Sequence, residues 1–158
     1  MRVIAAAVGL TLVATAASSD AIAPGNVVYG EYGEIEASLS GQAGDPTEGR
    51  KVFSSRSLGN CVACHSVSEM VADVQWHGNV GPSLDGVADR WTEADVRGIV
   101  ANAKNVYDGT IMPAFYKTTG YIRPGEGFTT KPAQEPLAPL LSAQQIEDVV
   151  AYLMTLKE

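Results

Sequence analysis

A chain of 158 residues is long enough for one compact domain with its own core, and its 46% hydrophobic content is that of an ordinary globular protein. The formal net charge of −7 argues against nucleic acid or an anionic membrane surface as partner. Cys61 and Cys64 are the only cysteines, which excludes a disulfide-rich scaffold.

Arg2, an apolar run from Val3 to Ala17 and the small-residue stretch Ser18-Ser19-Asp20-Ala21-Ile22-Ala23 make a secretory leader over residues 1–23. The run falls short of the about 20 apolar residues that span a bilayer, so a cleaved leader is expected rather than an anchor. Cleavage is expected after Ala17 or Ala23, and Pro24 disfavours the second site. The mature protein is then periplasmic, with no membrane attachment after cleavage. Residues 24–44 mix Gly25, Gly30, Gly33 and Gly41 with Val27, Val28, Tyr29, Tyr32, Ile35 and Leu39. They read as an extension lying over the domain or over a partner, with a flexible arm as the alternative.

The domain proper is expected over residues 45–158. Its first helix starts with Asp45 as N-cap, Pro46 in the first helical position and Glu48 completing a capping-box-like pair. Gly49 and Phe53 fall four apart on one face. A glycine there weakens the helix and so points to close approach by another helix.

Gly59-Asn60 turns the chain into Cys61-Val62-Ala63-Cys64-His65. C-x-x-C-H is the attachment signature of a c-type haem. Each thiol adds across one vinyl group, and His65 offers an imidazole nitrogen to the iron. Two other readings exist. A thioredoxin-like dithiol needs a βαβ pattern that the sequence lacks. A structural zinc site would have to combine Cys61, Cys64, His65 and His77, and adjacent residues reach two corners of one tetrahedron poorly.

His77 lies in a polar loop and is a rival iron ligand, although a surface histidine is the better expectation. In Gly81-Pro82-Ser83-Leu84, the rigid Pro82 carbonyl can take the second ring N–H of His65, and Leu84 can pack against the ring of the cofactor. Arg90 and Trp91 are candidates to bond a haem propionate. Thr92 caps a second helix, with Asp95 in the box position and Val96, Ile99, Val100 and Ala103 at helical spacing.

Of the four methionines, Met1 leaves with the leader, Met70 follows His65 too closely to pass round the ring, and Met154 belongs to a packed helix. Met112 follows a helix in a long loop, and Pro113 holds it extended. It is the candidate second iron ligand, since a His/Met pair raises reduction potential; a gap-filling core methionine is the alternative. Residues 116–141 form a long Gly- and Pro-containing connection. The last helix starts at Ser142 with Gln145 in the box position. Ile146, Val149, Val150, Leu153 and Leu156 make its apolar stripe, and Lys157 is placed to complement its dipole. No period-two pattern competes, so the fold class is all-α.

Gly49 and Phe53, the run Cys61–His65, Gly81-Pro82-Ser83-Leu84, Met112-Pro113 and the closing Val149-Val150-Ala151-Tyr152-Leu153 together resemble class I cytochrome c. The resemblance covers residues 45–158. It implies a helical domain around one covalent haem c with His65 and Met112 on the iron, and Gly49 and Phe53 against Val149 and Tyr152. A narrower resemblance, through Asn79-Val80-Gly81-Pro82, Ala101-Asn102-Ala103-Lys104, Ile111–Tyr116 and Pro136–Leu153, is to the SoxX family. That likeness takes in the N-terminal extension. It implies the electron-transfer subunit of a SoxAX-like L-cysteine S-thiosulfotransferase of thiosulfate oxidation, in heterodimer with a SoxA-like cytochrome that holds the catalytic haem. A SoxYZ-like sulfur carrier and a small electron-acceptor cytochrome would be met through the complex. This chain alone would not catalyse the bond-forming step. The alternatives are a free-standing electron shuttle, or a haem enzyme or gas binder whose iron Met112 leaves open. Because 24–44 and 116–141 hold many apolar residues without clear periodicity, both are expected to line the partner interface.

Overall fold

The computed structural model describes residues 20–125 and 129–158, so most of the expected leader, Ala17 included, lies outside the described residues. Four α-helices follow in order: α1 (Pro46–Ser54), α2 (Val87–Arg90), α3 (Glu93–Asn102) and α4 (Ala143–Leu153). Single 3-10 turns sit at Cys61–Ala63, Ser68–Met70 and Ala103–Asn105. Among the described residues the only β pairing is one isolated bridge between Gly125 and Pro132, so the domain is all-α as expected.

The framework is the crossing of α1 and α4. A Cβ added at Gly49 would strike the carbonyl oxygen of Asp148 and come within 2.8 Å of Tyr152 Cβ, so the glycine is what lets the two backbones meet. One turn on, the rings of Phe53 and Tyr152 meet edge to face, 5.5 Å between centroids, a geometry worth about 0.5–1.5 kcal/mol beyond the area it buries. Tyr152 donates its hydroxyl to Glu69 Oε1 at 2.8 Å. Burial, aided by that carboxylate, raises the phenol well above the usual tyrosine range, so it remains a donor at physiological pH. Ile146, Val149, Val150 and Leu153 are all buried, as the stripe requires.

Thr92 with Asp95 and Ser142 with Gln145 form complete capping boxes. The box expected at Asp45 does not form. Asp45 accepts from Thr47 N at 2.8 Å, but its own N–H goes to Asp148 Oδ1 at 2.9 Å, while Glu48 pairs with Lys51 at 2.6 Å. The close crossing brings an α4 carboxylate to the cap and leaves Glu48 on the solvent face. Lys157 is also misplaced as a dipole partner, because α4 ends at Leu153 with no basic residue in its last turn.

The extension is part of the domain. Ile35 and Leu39 are buried in the core, Ile22 N–H donates to Leu39 O at 2.8 Å, and Ile35 N–H donates to Ala94 O at 3.0 Å. Arg97 on α3 and Glu147 on α4 fasten it. Arg97 Nη1 donates to Ile35 O at 2.8 Å, and Arg97 Nε donates to Glu147 Oε1 at 3.1 Å. Glu147 Oε1 also accepts from Leu39 N at 2.7 Å, and Arg97 reaches Glu93 as well. Ile35 and Leu39 are therefore covered by the domain itself and are not free to line a partner interface as expected for 24–44; Val28 and Tyr32 remain exposed. The 116–141 connection has buried ends, Tyr116 and Leu141, and an exposed middle at Tyr121, Ile122 and Leu140.

Candidate functional site

Asn60, in the left-handed region at φ 49°, delivers the chain into the turn that holds the two cysteines. Cys64 N–H and His65 N–H both return to Cys61 O, at 3.1 and 2.9 Å, which gathers two unbonded thiols and the imidazole on one turn. Burial pushes the Cys61 thiol up to about 12, the opposite of the acidic thiol that dithiol redox chemistry uses. Among the described residues no group of three or more His, Cys, Asp or Glu is placed to hold one metal ion, so the zinc reading has no ligand set.

The segment after the motif returns alongside it. Gly78 N–H donates to Val62 O and Gly81 N–H to Cys64 O, both at 2.8 Å, and Leu84 N–H donates to Ser66 O at 3.0 Å. Between them His65 Nδ1 lies 2.8 Å from the Pro82 carbonyl, the contact anticipated from sequence. A carbonyl only accepts, so Nδ1 carries the proton and Nε2 keeps its lone pair for a metal. A Cβ at Gly81 would stand 2.6 Å from His65 Nδ1, so only glycine leaves the imidazole its place.

Leu84 is half-buried and packs on the core. Arg90 donates from Nη1 to Asp85 O at 2.7 Å and from Nη2 to Ser83 O at 3.3 Å, which staples the loop that follows Pro82. Trp91 is 39% exposed. Asp85 accepts from Ser68 N, Ser68 Oγ and Ser83 Oγ, and the Ser68 N–H bond above all holds its carboxyl below the usual range. His77 is not a surface histidine: its Nδ1 accepts from Val67 N at 3.1 Å, and its Nε2 is buried without a partner. The sequence shows a polar loop there, but the loop packs against the back of the cysteine turn.

The second candidate ligand comes from another part of the chain. Met112 is half-buried against the core, with its N–H on Thr110 Oγ1 at 3.2 Å. Lys104 Nζ donates to Thr110 O at 2.9 Å and to Met112 O at 3.0 Å. Met70 is fully buried and Met154 is the C-cap of α4, so both are in packing roles.

These residues fit a c-type haem. Two unpaired thiols share a turn with a histidine whose tautomer is fixed, and the glycine beside it keeps the ring's space clear. Sequence reasoning did not find the Lys104 bonds to the Met112 loop or the Arg97–Glu147 pair; a basic residue on a helix or turn gives no sign of its partner.

The cytochrome c family profile matches residues 46–157. Among solved structures, a chain of SoxXA from P. pantotrophus is 57% identical and superposes with a TM-score of 0.83, over 88% of this chain and 100% of that chain. No curated protein matches the chain.

Proposed function

The chain belongs to the cytochrome c family, and from that premise we propose that it is the electron-transfer subunit of a SoxXA-type cytochrome of thiosulfate oxidation. One observation carries the reading: the likeness to the SoxXA chain runs the full length of that chain at 57% identity. At 88% of this chain, the match also exceeds the 46–157 domain and takes in part of the docked extension. Catalysis belongs to the partner subunit, a second cytochrome of SoxA type.

When bound, the haem supplies a centre that accepts and releases one electron. Cys61 and Cys64 would anchor it covalently, and His65 would hold the iron through Nε2, oriented by the Pro82 carbonyl. Met112 is the proposed second ligand: a neutral thioether raises the potential relative to a second imidazole. With His65 and Met112 both holding the iron, no substrate would reach it, which would suit a relay and not a bond-forming site. Leu84 and Trp91 are proposed to border the group. Arg90 would hold the Ser83–Asp85 loop and offer its remaining N–H groups to a propionate. A SoxYZ-like carrier and a small acceptor cytochrome are the proposed further partners, in the periplasm. Ile22, which bonds Leu39 and Tyr116, belongs to the folded domain, which favours leader cleavage after Ala17.

Co-expression with and without a SoxA-like chain tests the assignment. The expected result is a stable heterodimer with thiosulfate-dependent electron release that neither chain gives alone. A haem protein that stays apart from the SoxA-like chain and changes no turnover would instead be a free-standing shuttle.

A further inference from the structure

We propose that Lys104 is the positioning residue for the iron-bound methionine. It is a clamp that keeps the Met112 loop shut, and the inference rests on Met112 being the second ligand. Lys104 stands in the 3-10 turn Ala103–Asn105 directly after α3, and that turn is anchored because Ala103 is fully buried. From this fixed base its ammonium donates to Thr110 O at 2.9 Å and Met112 O at 3.0 Å, so it grips the carbonyls on both sides of Ile111.

Little else holds the tip of the loop. Gly109 turns it at φ +72°, with nothing within 4 Å of where a Cβ would stand, and Ile111 is 78% exposed. The remaining fastenings near the methionine are Thr110 N–H to Tyr107 O at 3.3 Å and Met112 N–H to Thr110 Oγ1 at 3.2 Å, both longer than the lysine bonds. Bonds from a charged donor are about twice as strong as neutral ones. Lys104 makes no ion pair with a carboxylate among the described residues, so its charge is directed to this loop.

The chemistry explains why a clamp is needed. A thioether is uncharged and a weak donor, so its bond to iron depends on how well the protein holds the sulfur in place. Partners of a ligand's own residue fix that placement as surely as the ligand itself. Lys104 is exposed, and its replacement removes a loop fastening without opening the core.

The experiment uses the haem-loaded protein and follows displacement of the methionine by imidazole in the ferric state, together with the sulfur-to-iron absorption band. Lys104→Met is expected to speed imidazole entry about tenfold, which corresponds to about 1.4 kcal/mol of lost clamping. Lys104→Arg, which keeps charge and donors, is expected to restore most of the wild-type rate. Thr110→Val, which removes only the Oγ1 acceptor and keeps both lysine bonds, is expected to give a smaller increase, and Lys104→Gln serves if Lys104→Met accumulates poorly. Wild-type imidazole rates in Lys104→Met, alongside an open iron in Met112→Ala, would overturn the clamp and leave the methionine ligand standing. An unchanged band in Met112→Ala would instead remove the ligand assignment on which the clamp depends.

Discussion

The two sides of the proposed iron site are held in different ways. On the histidine side, residues 78–84 run beside 62–66 and are joined mostly through main-chain atoms, with the Pro82 carbonyl on the imidazole. On the methionine side, the shorter fastenings are side chains, one lysine ammonium and one threonine hydroxyl, beside a single long main-chain bond from Thr110 N–H to Tyr107 O. Main-chain bonds persist through almost any substitution, while side-chain bonds can be removed one at a time. The histidine arm is therefore built to be permanent, and the methionine arm is the one whose strength a single residue can set.

The largest test of that difference removes each ligand. Met112→Ala is expected to keep covalent haem, seen as unchanged mass, while cyanide or carbon monoxide binds readily and the reduction potential falls. His65→Ala is expected to cost the proximal ligand itself, measured as a collapse in the ratio of haem absorbance to protein. Equal behaviour of the two variants would erase the distinction between the arms.

A second substitution should weaken both arms together. Glu147→Gln leaves the buried Arg97 guanidinium with only the exposed Glu93 as counter-charge, and breaking a buried pair costs up to about 3–5 kcal/mol. Denaturant unfolding should show that loss, with the spectrum of the folded fraction unchanged.

Gly81→Ala should act on the histidine arm alone. The methyl group would overlap the imidazole, and overpacking of this kind typically costs about 1–3 kcal/mol. Thermal unfolding of the holoprotein, with the methionine band retained, is the signature to look for.

The smallest effect is one of pH. The Asp85 carboxyl is held low chiefly by the Ser68 N–H. A depressed folded value means that its stabilisation is complete above the unfolded carboxylate value of ~3.9 and is lost as pH falls through the lower folded value. Asp85→Asn should therefore cost a little stability at neutral pH, flatten the acid limb of the stability curve and converge with the wild type at low pH, read from urea midpoints from neutral into the acid range.

Features set by neighbours along the chain were legible in the sequence. Thr92 with Asp95 and Ser142 with Gln145 cap their helices because a capping box needs residues only three apart. The His65–Pro82 contact was legible because a histidine expected to bind iron needs an acceptor for its other ring N–H, and a rigid carbonyl stood within one loop of it. The failures are contacts that no local pattern announces. Asp148 displaces Glu48 at the first cap from 103 residues away, and His77 is sheltered by a turn that its own polar loop does not reveal. Arg97 has the composition of a solvent-facing helix residue until Glu147 and Ile35 enclose it.

The Arg97–Glu147 junction also sets an order of assembly. Leu39 meets Glu147 across 108 residues, and Ile22 meets Tyr116 across 94, so the first part of the domain to be synthesised docks on some of the last. Closing such spans costs only about 0.6 kcal/mol for each doubling of loop length, but it delays folding. A growing chain that lacks Ala143–Leu153 has no partner for Gly49 and no counter-charge at Glu147 for Arg97. The core therefore stays open until Ala143–Leu153 has joined it, and through that interval Cys61 and Cys64 would remain within reach of whatever attaches a haem.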